Sequence, residues 1–419
     1  MKIVIITGTR PDIIKQAPIY WEAKKRGHEA ILVHACQHYP YYLFEGVYED
    51  MQLPKPHYII HSSAQKKLGM VASRTTHFLD EKIPGADFSK KFEKTVLGVM
   101  NVKPNAAATV ADIMKAMSQL YRGPLADASV TVVHGDTLTC MASALAAHLN
   151  IKPVAHAEAG LRTFSREPFP EQTDTRCTDA CSDLFFAATP TNKENLLKEG
   201  FAQEKIVVVG NTVVDAANWA ASARGESRKY FERMGVDFSK PIVYYSCHRR
   251  ENTMHKERFE AIIDAAVMLA QSDVQVFWSM RPGTVLALKE HRLQEKLNEK
   301  NIIVVSDVPR YTDVMYLASK CLFIATDSGS MQEESASLRV PCATLRFVTD
   351  RPESVQAGVN LLAPPTTARN IFEVFQKVIR ENAAMRMKKN PYGDGMAAKK
   401  IIDALEKFDG KFITWKHQE

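Results

Sequence analysis

The chain has 419 residues. A single hydrophobic core stops growing near ~250–300 residues, so two domains are expected. Hydrophobic residues at 45% and charged residues at 24% are ordinary globular proportions, and the net charge of +6 fits a solvated surface or an anionic substrate. Its lysines are scattered or paired, as in Lys66-Lys67 and Lys90-Lys91, and no nucleic-acid motif accompanies them, so no nucleic-acid partner is expected.

In chain order, short apolar β-branched runs alternate with longer helical patterns. The first series of strands is Ile3–Ile6, Ala30–Val33, Val130–Val133, a strand around Pro153 to Ala155, Leu184–Ala187 and Ile206–Val209. The second is Ile242–Tyr245, Val274–Trp278, Ile302–Val305, Leu322–Ala325 and Cys342–Leu345. Near-continuous apolar runs are how strands covered on both faces read, and their alternation with helices predicts parallel sheets. The expected fold class is therefore α/β, with two Rossmann-like doubly wound domains facing a central cleft. The expected domains are 1–210, with an insertion at about 62–105 and a C-terminal helix 391–419 packing back on it, and 211–390. The insertion reads as extra helix and loop, or as a subunit contact or lid. The seven cysteines are odd in number and unclustered, which suits a reducing compartment and predicts a cytoplasmic protein. Cys177 and Cys181, with His134 and His156 upstream, match no standard zinc spacing, so no metal is expected. The first residues lack a signal peptide's features, and no run of ~18 apolar residues is present to span a membrane.

Ligands of open parallel sheets bind beyond the carboxyl ends of the strands, so the residues just after each strand are informative. After the first strand, Thr7-Gly8-Thr9-Arg10-Pro11 reads as a turn into a helix whose free N–H groups suit an anion; Arg10 and Lys15 add positive charge. A capped turn with a surface arginine is the plainer alternative. After Val130–Val133 comes His134-Gly135-Asp136-Thr137, where Asp136 is a catalytic candidate or the N-cap of the next helix. His156-Ala157-Glu158-Ala159-Gly160-Leu161-Arg162 follows the next strand, with Glu158 either functional or in a surface salt bridge. Pro168-Phe169-Pro170 then holds Glu171 in a stiff loop. Carboxylates brought close together repel, so that one can serve as acid while another is base. In the second half, His248-Arg249-Arg250-Glu251-Asn252 suits a diphosphate. Thr326-Asp327-Ser328-Gly329-Ser330 opens a helix able to present N–H groups to phosphate, Glu334 within it suits ribose hydroxyls, and Arg351 follows in a later loop.

These ordered motifs, with Gly210-Asn211-Thr212 and Asn390-Pro391-Tyr392-Gly393-Asp394-Gly395, resemble the non-hydrolysing UDP-N-acetylglucosamine 2-epimerases over most of the chain outside about 62–105. The resemblance implies the two-domain GT-B-type architecture, a UDP-N-acetylhexosamine substrate, no redox cofactor and a homodimer; no membrane partner is expected, for want of a long apolar run. It implies anti elimination of UDP to a 2-acetamidoglucal, after which UDP adds back with C2 inverted. By the family's motifs Asp136, Glu158 and Glu171 are the acid, base and charge-stabilising groups, and His248 assists the diphosphate. Arg10, Lys15, Arg162, Arg249, Ser328, Gly329, Ser330, Glu334 and Arg351 are expected to bind the substrate and its UDP part.

The chain departs from the family in places. Glu171 is followed by Gln172-Thr173-Asp174-Thr175-Arg176, where the family continues with a second glutamate and then an Asn-Arg pair. Ser330 replaces the second glycine of a Ser-Gly-Gly, and Met280-Arg281-Pro282-Gly283 replaces a His-Asn-Pro turn. Tyr39, Pro40, Tyr41 and Tyr42 stand where bacterial relatives have residues that help form a second, activating UDP-sugar site. Competing readings are a hydrolysing 2-epimerase, a 2-epimerase for a modified UDP-N-acetylhexosamine, a glycosyltransferase of the same architecture, and a nucleotide-sugar sensor.

Overall fold

The computed structural model describes residues 1–36, 44–61, 106–164, 170–222, 226–306, 308 and 310–408. The expected insertion at about 62–105, the tyrosine run after His38 and the Pro168-Phe169 pair lie outside the described residues.

The chain forms two compact units. The first comprises residues 1–49, 53–207 and 402–419; the second comprises 50–52 and 208–401. Among the described residues the first sheet has seven strands: β1 Lys2–Thr7, β2 Glu29–Cys36, β3 Tyr58–His61, β4 Val130–His134, β5 Val154–Ala157, β6 Leu184–Ala187 and β7 Ile206–Val208, in the order β3-β2-β1-β4-β5-β6-β7. The second sheet has, among the described residues, six: β8 Ile242–Ser246, β9 Gln275–Met280, β10 Ile302–Ser306, β11 Phe323–Thr326, β12 Cys342–Thr344 and β13 Asn360–Leu362, in the order β10-β9-β8-β11-β12-β13. The pairings run parallel, as in β1 with β2 and β4, and β8 with β9 and β11. Both units are thus Rossmann-like α/β layers. The apolar strands β4 and β8 are buried along their whole length, because helices cover both sheet faces.

Two strands escaped the apolar pattern, β3 and β13. Each is short and forms an edge of its sheet, where one flank needs no partner and a long apolar run is dispensable. In the first unit Val4, Ile6, Val33, Met117, Val133 and Ala144 build one core; in the second Val243, Tyr245, Phe259, Trp278, Phe323 and Phe375 build another. The helix Ala397–Lys407 brings Asp403 and Glu406 to Arg26 of the first unit, at 2.7 and 3.0 Å.

In each sheet the strand order reverses once, between β1 and β4 and between β8 and β11. At such a switch point the flanking connections leave in opposite directions and open a crevice at the carboxyl edge. The turns after β1 and β4 carry Arg10 and Asp136; those after β8 and β11 carry His248 and Ser328. Both sets of expected site residues therefore stand where their own sheet favours a ligand.

Candidate active site

In the first unit the turn after β1 feeds the helix Arg10–Lys25, capped by a Thr9–Asp12 box in which Thr9 N–H donates to Asp12 Oδ2 at 3.0 Å. Gly8 is obligatory there, because a Cβ would run into the Thr139 side chain. Lys15, 5% exposed, projects from this helix and its Nζ lies 2.5 Å from Glu158 Oε1. His134 Nδ1 lies 3.8 Å from the other oxygen of Glu158. Burial pushes His134 down to about 3, so this imidazole is neutral, and among the described residues Lys15 is a cation that answers Glu158. Glu158 is buried, which excludes a surface salt bridge.

The backbone at Glu158 is left-handed, with φ +66°, between Gly135 at +75° and Gly160 at +78°. A glutamate in that region stores strain of about 1–3 kcal/mol and persists only where its surroundings impose it. His156 and Asp179 are the imposing groups. The fully buried His156 bonds Gly135 O through Nε2 at 2.9 Å and Asp179 through Nδ1 at 2.7 Å. Asp179 also accepts from Gly160 N–H at 3.3 Å and from Arg162 at 2.7 Å. Burial alone would lower His156, but Asp179 and Cys140 beside it raise it to about 10, so a charged ring ties the turns after β4 and β5 together.

Asp136 follows Gly135, yet Thr137 caps the helix Leu138–Leu149 by accepting from Cys140 N–H at 3.2 Å, so the N-cap alternative for Asp136 falls. Helix Glu171–Ala180 opens with Glu171 and places Asp174 on the same face. Asp136 acts electrostatically on both Asp12 and Asp174, and Glu171 on Asp174. Burial first, and then these neighbours, raise Asp12 and Asp174 to about 7 each. Two acidic groupings result: Glu158 held by Lys15 and His134, and Asp136 with Asp12, Asp174 and Glu171.

In the second unit the fully buried Asp327 organises the turn after β8. Its carboxylate accepts from His248 N–H at 3.0 Å, Arg249 N–H at 2.9 Å and Asn252 Nδ2 at 3.0 Å, and lies 3.3 Å from His248 Nδ1. Burial lowers His248 to about 4, with Arg281 and Arg249 reinforcing that and Asp327 opposing it; the ring is neutral at pH 7. Ser328 precedes the helix Gly329–Ser337, and its side chain makes no cap bond. Asp350 lies beside Gly329, 3.6 Å from the place of a Cβ. Burial would raise Asp350, but Arg351, Arg346 and Arg249 hold it at about 2. Glu334 is buried in the helix. Neighbouring Glu333 takes Arg351 Nε at 2.5 Å and Asn211 Nδ2 at 3.1 Å. Asn211 N–H in turn donates to Tyr392 O at 2.8 Å, so the Gly210-Asn211, Arg351-Pro352 and Asn390–Gly393 stretches converge.

Among the described residues, the structure thus brings Lys15 to Glu158, Asp136 and Glu171 to Asp174, and His248 and Arg249 to Asp327. It engages Arg162 between Asp179 and Glu199, and Arg351 between Glu333 and Asp350, which are framework positions for two arginines expected to bind the substrate. Ser330 and Arg10 sit in the first turns of their helices, beside the expected anion positions. Asp327, standing just before Ser328, was legible as an acid at a strand end. Asp179 carried no local signal, because its partners lie 17 and 23 residues away. No group of three His, Cys, Asp or Glu side chains gathers into a metal site among the described residues, Cys177 and Cys181 included. No described helix is long and apolar enough to cross a membrane.

The family model for UDP-N-acetylglucosamine 2-epimerase matches residues 92–406. The UDP-N-acetylglucosamine 2-epimerase of Methanocaldococcus jannaschii is 33% identical over 409 residues, 97% of this chain and 99% of that one. The enzyme of the same name from Bacillus subtilis is 31% identical over 411 residues, 97% and 95% of the two chains. Among solved structures, the M. jannaschii UDP-GlcNAc 2-epimerase in complex with UDP-GlcNAc and UDP superposes with a TM-score of 0.77 at 30% identity, covering 97% of this chain and 100% of that one. The Neisseria meningitidis UDP-GlcNAc 2-epimerase bound to UDP-GlcNAc gives 0.76 at 27% identity, with the same coverage. With a family model over three quarters of its length, near-complete relatives and the same GT-B-like pair of Rossmann folds, the chain belongs to the UDP-N-acetylglucosamine 2-epimerase family of isomerases.

Proposed function

We propose that this protein interconverts UDP-N-acetylglucosamine and UDP-N-acetylmannosamine by elimination and re-addition of UDP. The observation that carries the reading is Glu158: buried, strained into a left-handed backbone and held between Lys15 and His134. A binding protein has no use for such an arrangement, whereas catalysis needs a carboxylate fixed in place.

The C2 proton of the sugar is poorly acidic, because no carbonyl adjoins C2 in the ring. One carboxylate of the first unit takes it as the C1–O bond to UDP breaks, and a C1=C2 double bond forms. Positive charge developing at C1 is stabilised by the remaining carboxylates, Asp136, Glu158 and Glu171 being the set. The leaving UDP carries the electron pair of the broken bond. In the second unit His248 and Arg249, held by Asp327, with the N–H groups of Gly329 and Ser330 in the first turn of their helix, receive its negative charge. A neutral His248 donates one hydrogen bond; a diphosphate beside it would raise its pKa and let it donate as a cation. UDP then returns to C1 while a proton reaches C2 from the opposite face.

The deciding experiment incubates the enzyme with UDP-N-acetylglucosamine in deuterated water. Deuterium at C2 and appearance of UDP-linked N-acetylmannosamine are expected. Free N-acetylmannosamine with UDP would mark a hydrolysing enzyme instead. Absence of both exchange and UDP release would sink the reading. Asp136→Asn is expected to abolish exchange while leaving UDP binding largely intact.

A further inference from the structure

Apart from Asp12, which is engaged in the capping box with Thr9, the acidic grouping of the first unit contains one carboxyl group that the elimination does not call for. Asp174 lies one turn along from Glu171 on the helix Glu171–Ala180 and is 2% exposed. The Thr178 hydroxyl donates to its backbone carbonyl at 2.7 Å, but among the described residues no cation or donor reaches its carboxyl group. The charges that face it are Asp136, from the turn after β4, and Glu171 on its own helix; Cys177 follows on that helix. The packed helix Leu138–Leu149 brings only Cys140, bonded to Gly135 O, and the exposed His148 as titratable groups. A second feature marks the same helix face. The Thr175 hydroxyl, fully buried, and the Glu171 Oε2 atom, also buried, have no hydrogen-bond partner. Buried polar atoms without partners are costly, so a face carrying two of them suits a polar ligand that completes their bonds.

We propose that Asp174 sets the charge of this site: as a neutral acid it admits the anionic nucleotide sugar beside Asp136 and Glu171, and as a carboxylate it repels it. The proposal rests on the nucleotide-sugar reading above. Burial, and then Asp136 and Glu171 alongside, raise Asp174 to about 7. The neutral form therefore prevails below that pH and the charged form above it. Asp174 is a positioning and specificity residue here; the proton transfers belong to its neighbours. It occupies the stretch Gln172–Arg176, where the chain leaves its family's sequence pattern.

The test measures KM and kcat for UDP-N-acetylglucosamine, and the Kd of UDP by calorimetry, at about pH 6 and about pH 8. The wild-type chain is compared with Asp174→Asn, Asp174→Ser and Asp174→Glu. KM and Kd are expected to rise roughly tenfold more in the wild type than in the Asn and Ser variants over this interval, with kcat moving less. Asp174→Glu keeps the step. Two neutral variants guard against one that fails to fold, and a fold defect alone would not flatten a pH profile. Identical pH steps in wild type and both neutral variants overturn the proposal while leaving the epimerase reading intact. Absence of wild-type turnover with UDP still bound is a failure of that reading, and the calorimetric step then still decides the role of Asp174.

Discussion

Glu158 is the residue on which the first unit's chemistry turns, and three neighbours keep it in place. Lys15 answers its charge, His134 stands beside its second oxygen, and Gly135 leaves room for it: a Cβ there would lie 3.4 Å from Glu158 Oε2. Gly135→Ala combines a positive φ with that contact, so it should destabilise by about 1 kcal/mol or more. It should also lower turnover by moving the carboxylate, read from urea unfolding and kcat on the same preparation. In the second unit, Asp327→Asn replaces an acceptor of several N–H bonds by an amide that must turn one N–H toward donors. A loss of about 1–3 kcal/mol in stability and a weaker grip on UDP are expected. Unchanged UDP affinity in that variant would remove Asp327 from the account of how His248 and Arg249 are held.

Individual helices join these residues over long stretches of sequence. Helix Glu171–Ala180 begins with Glu171 and Asp174, where the helix dipole favours anions, and ends with Asp179, which reaches back to the turn after β5. One helix thus supplies a catalytic candidate at its start and a structural anchor at its end. Asp179 is fully buried between His156 and Arg162, so Asp179→Asn leaves the buried His156 without its anion and Arg162 with Glu199 in place of two carboxylates. A cost of about 3–5 kcal/mol is expected, measurable as a lower urea midpoint. Helix Pro190–Lys198 packs against the same turn: Asn192 and Asn195 bond Gly160 O at 3.4 and 3.1 Å. Gly160 has no room for a Cβ against the Asn192 carbonyl. The N-cap Thr189 of that helix accepts from Asn192 N–H, and Thr189→Ala should cost about 1 kcal/mol.

At the scale of the molecule, buried titratable groups set the pH range of stability. Asp12 and Asp174 are raised to about 7, Asp215 to about 6 and His156 to about 10. Each binds its proton more tightly folded than unfolded, so its contribution is full below the unfolded pKa and is lost as pH rises through the folded one. His134 and His248 are lowered to about 3 and about 4, so their contributions are present above about 6.5 and are lost as pH falls. Above about pH 6.5 every one of these slopes points down or is flat. Tm should therefore fall between about pH 6.5 and about pH 9.5 in a scanning-calorimetry series. Asp174→Asn should gain on the wild type between about pH 5 and about pH 8, since the variant lacks the raised carboxyl. A Tm that climbs over the alkaline interval would contradict the burial of these groups.

Periodicity and punctuation in the sequence were enough for the α/β class, the long central strands, the turns after β1, β4, β5, β8 and β11, and the residues placed there. Those signals are local: an apolar run buried on both faces, a glycine at a turn, a polar cluster at a strand's end. The edge strands β3 and β13 were not legible, because half-exposed strands need no apolar run. Asp179 and Asp327 as anchors, the left-handed backbone of Glu158, and the capture of Arg162 and Arg351 by carboxylates were decided only in three dimensions. Each depends on partners that chain connectivity leaves far apart and that meet only when parallel strands align their carboxyl ends. Charge behaves likewise: a lone aspartate in sequence ionises near 4, and only burial beside Asp136 and Glu171 turns Asp174 into an acid of about 7.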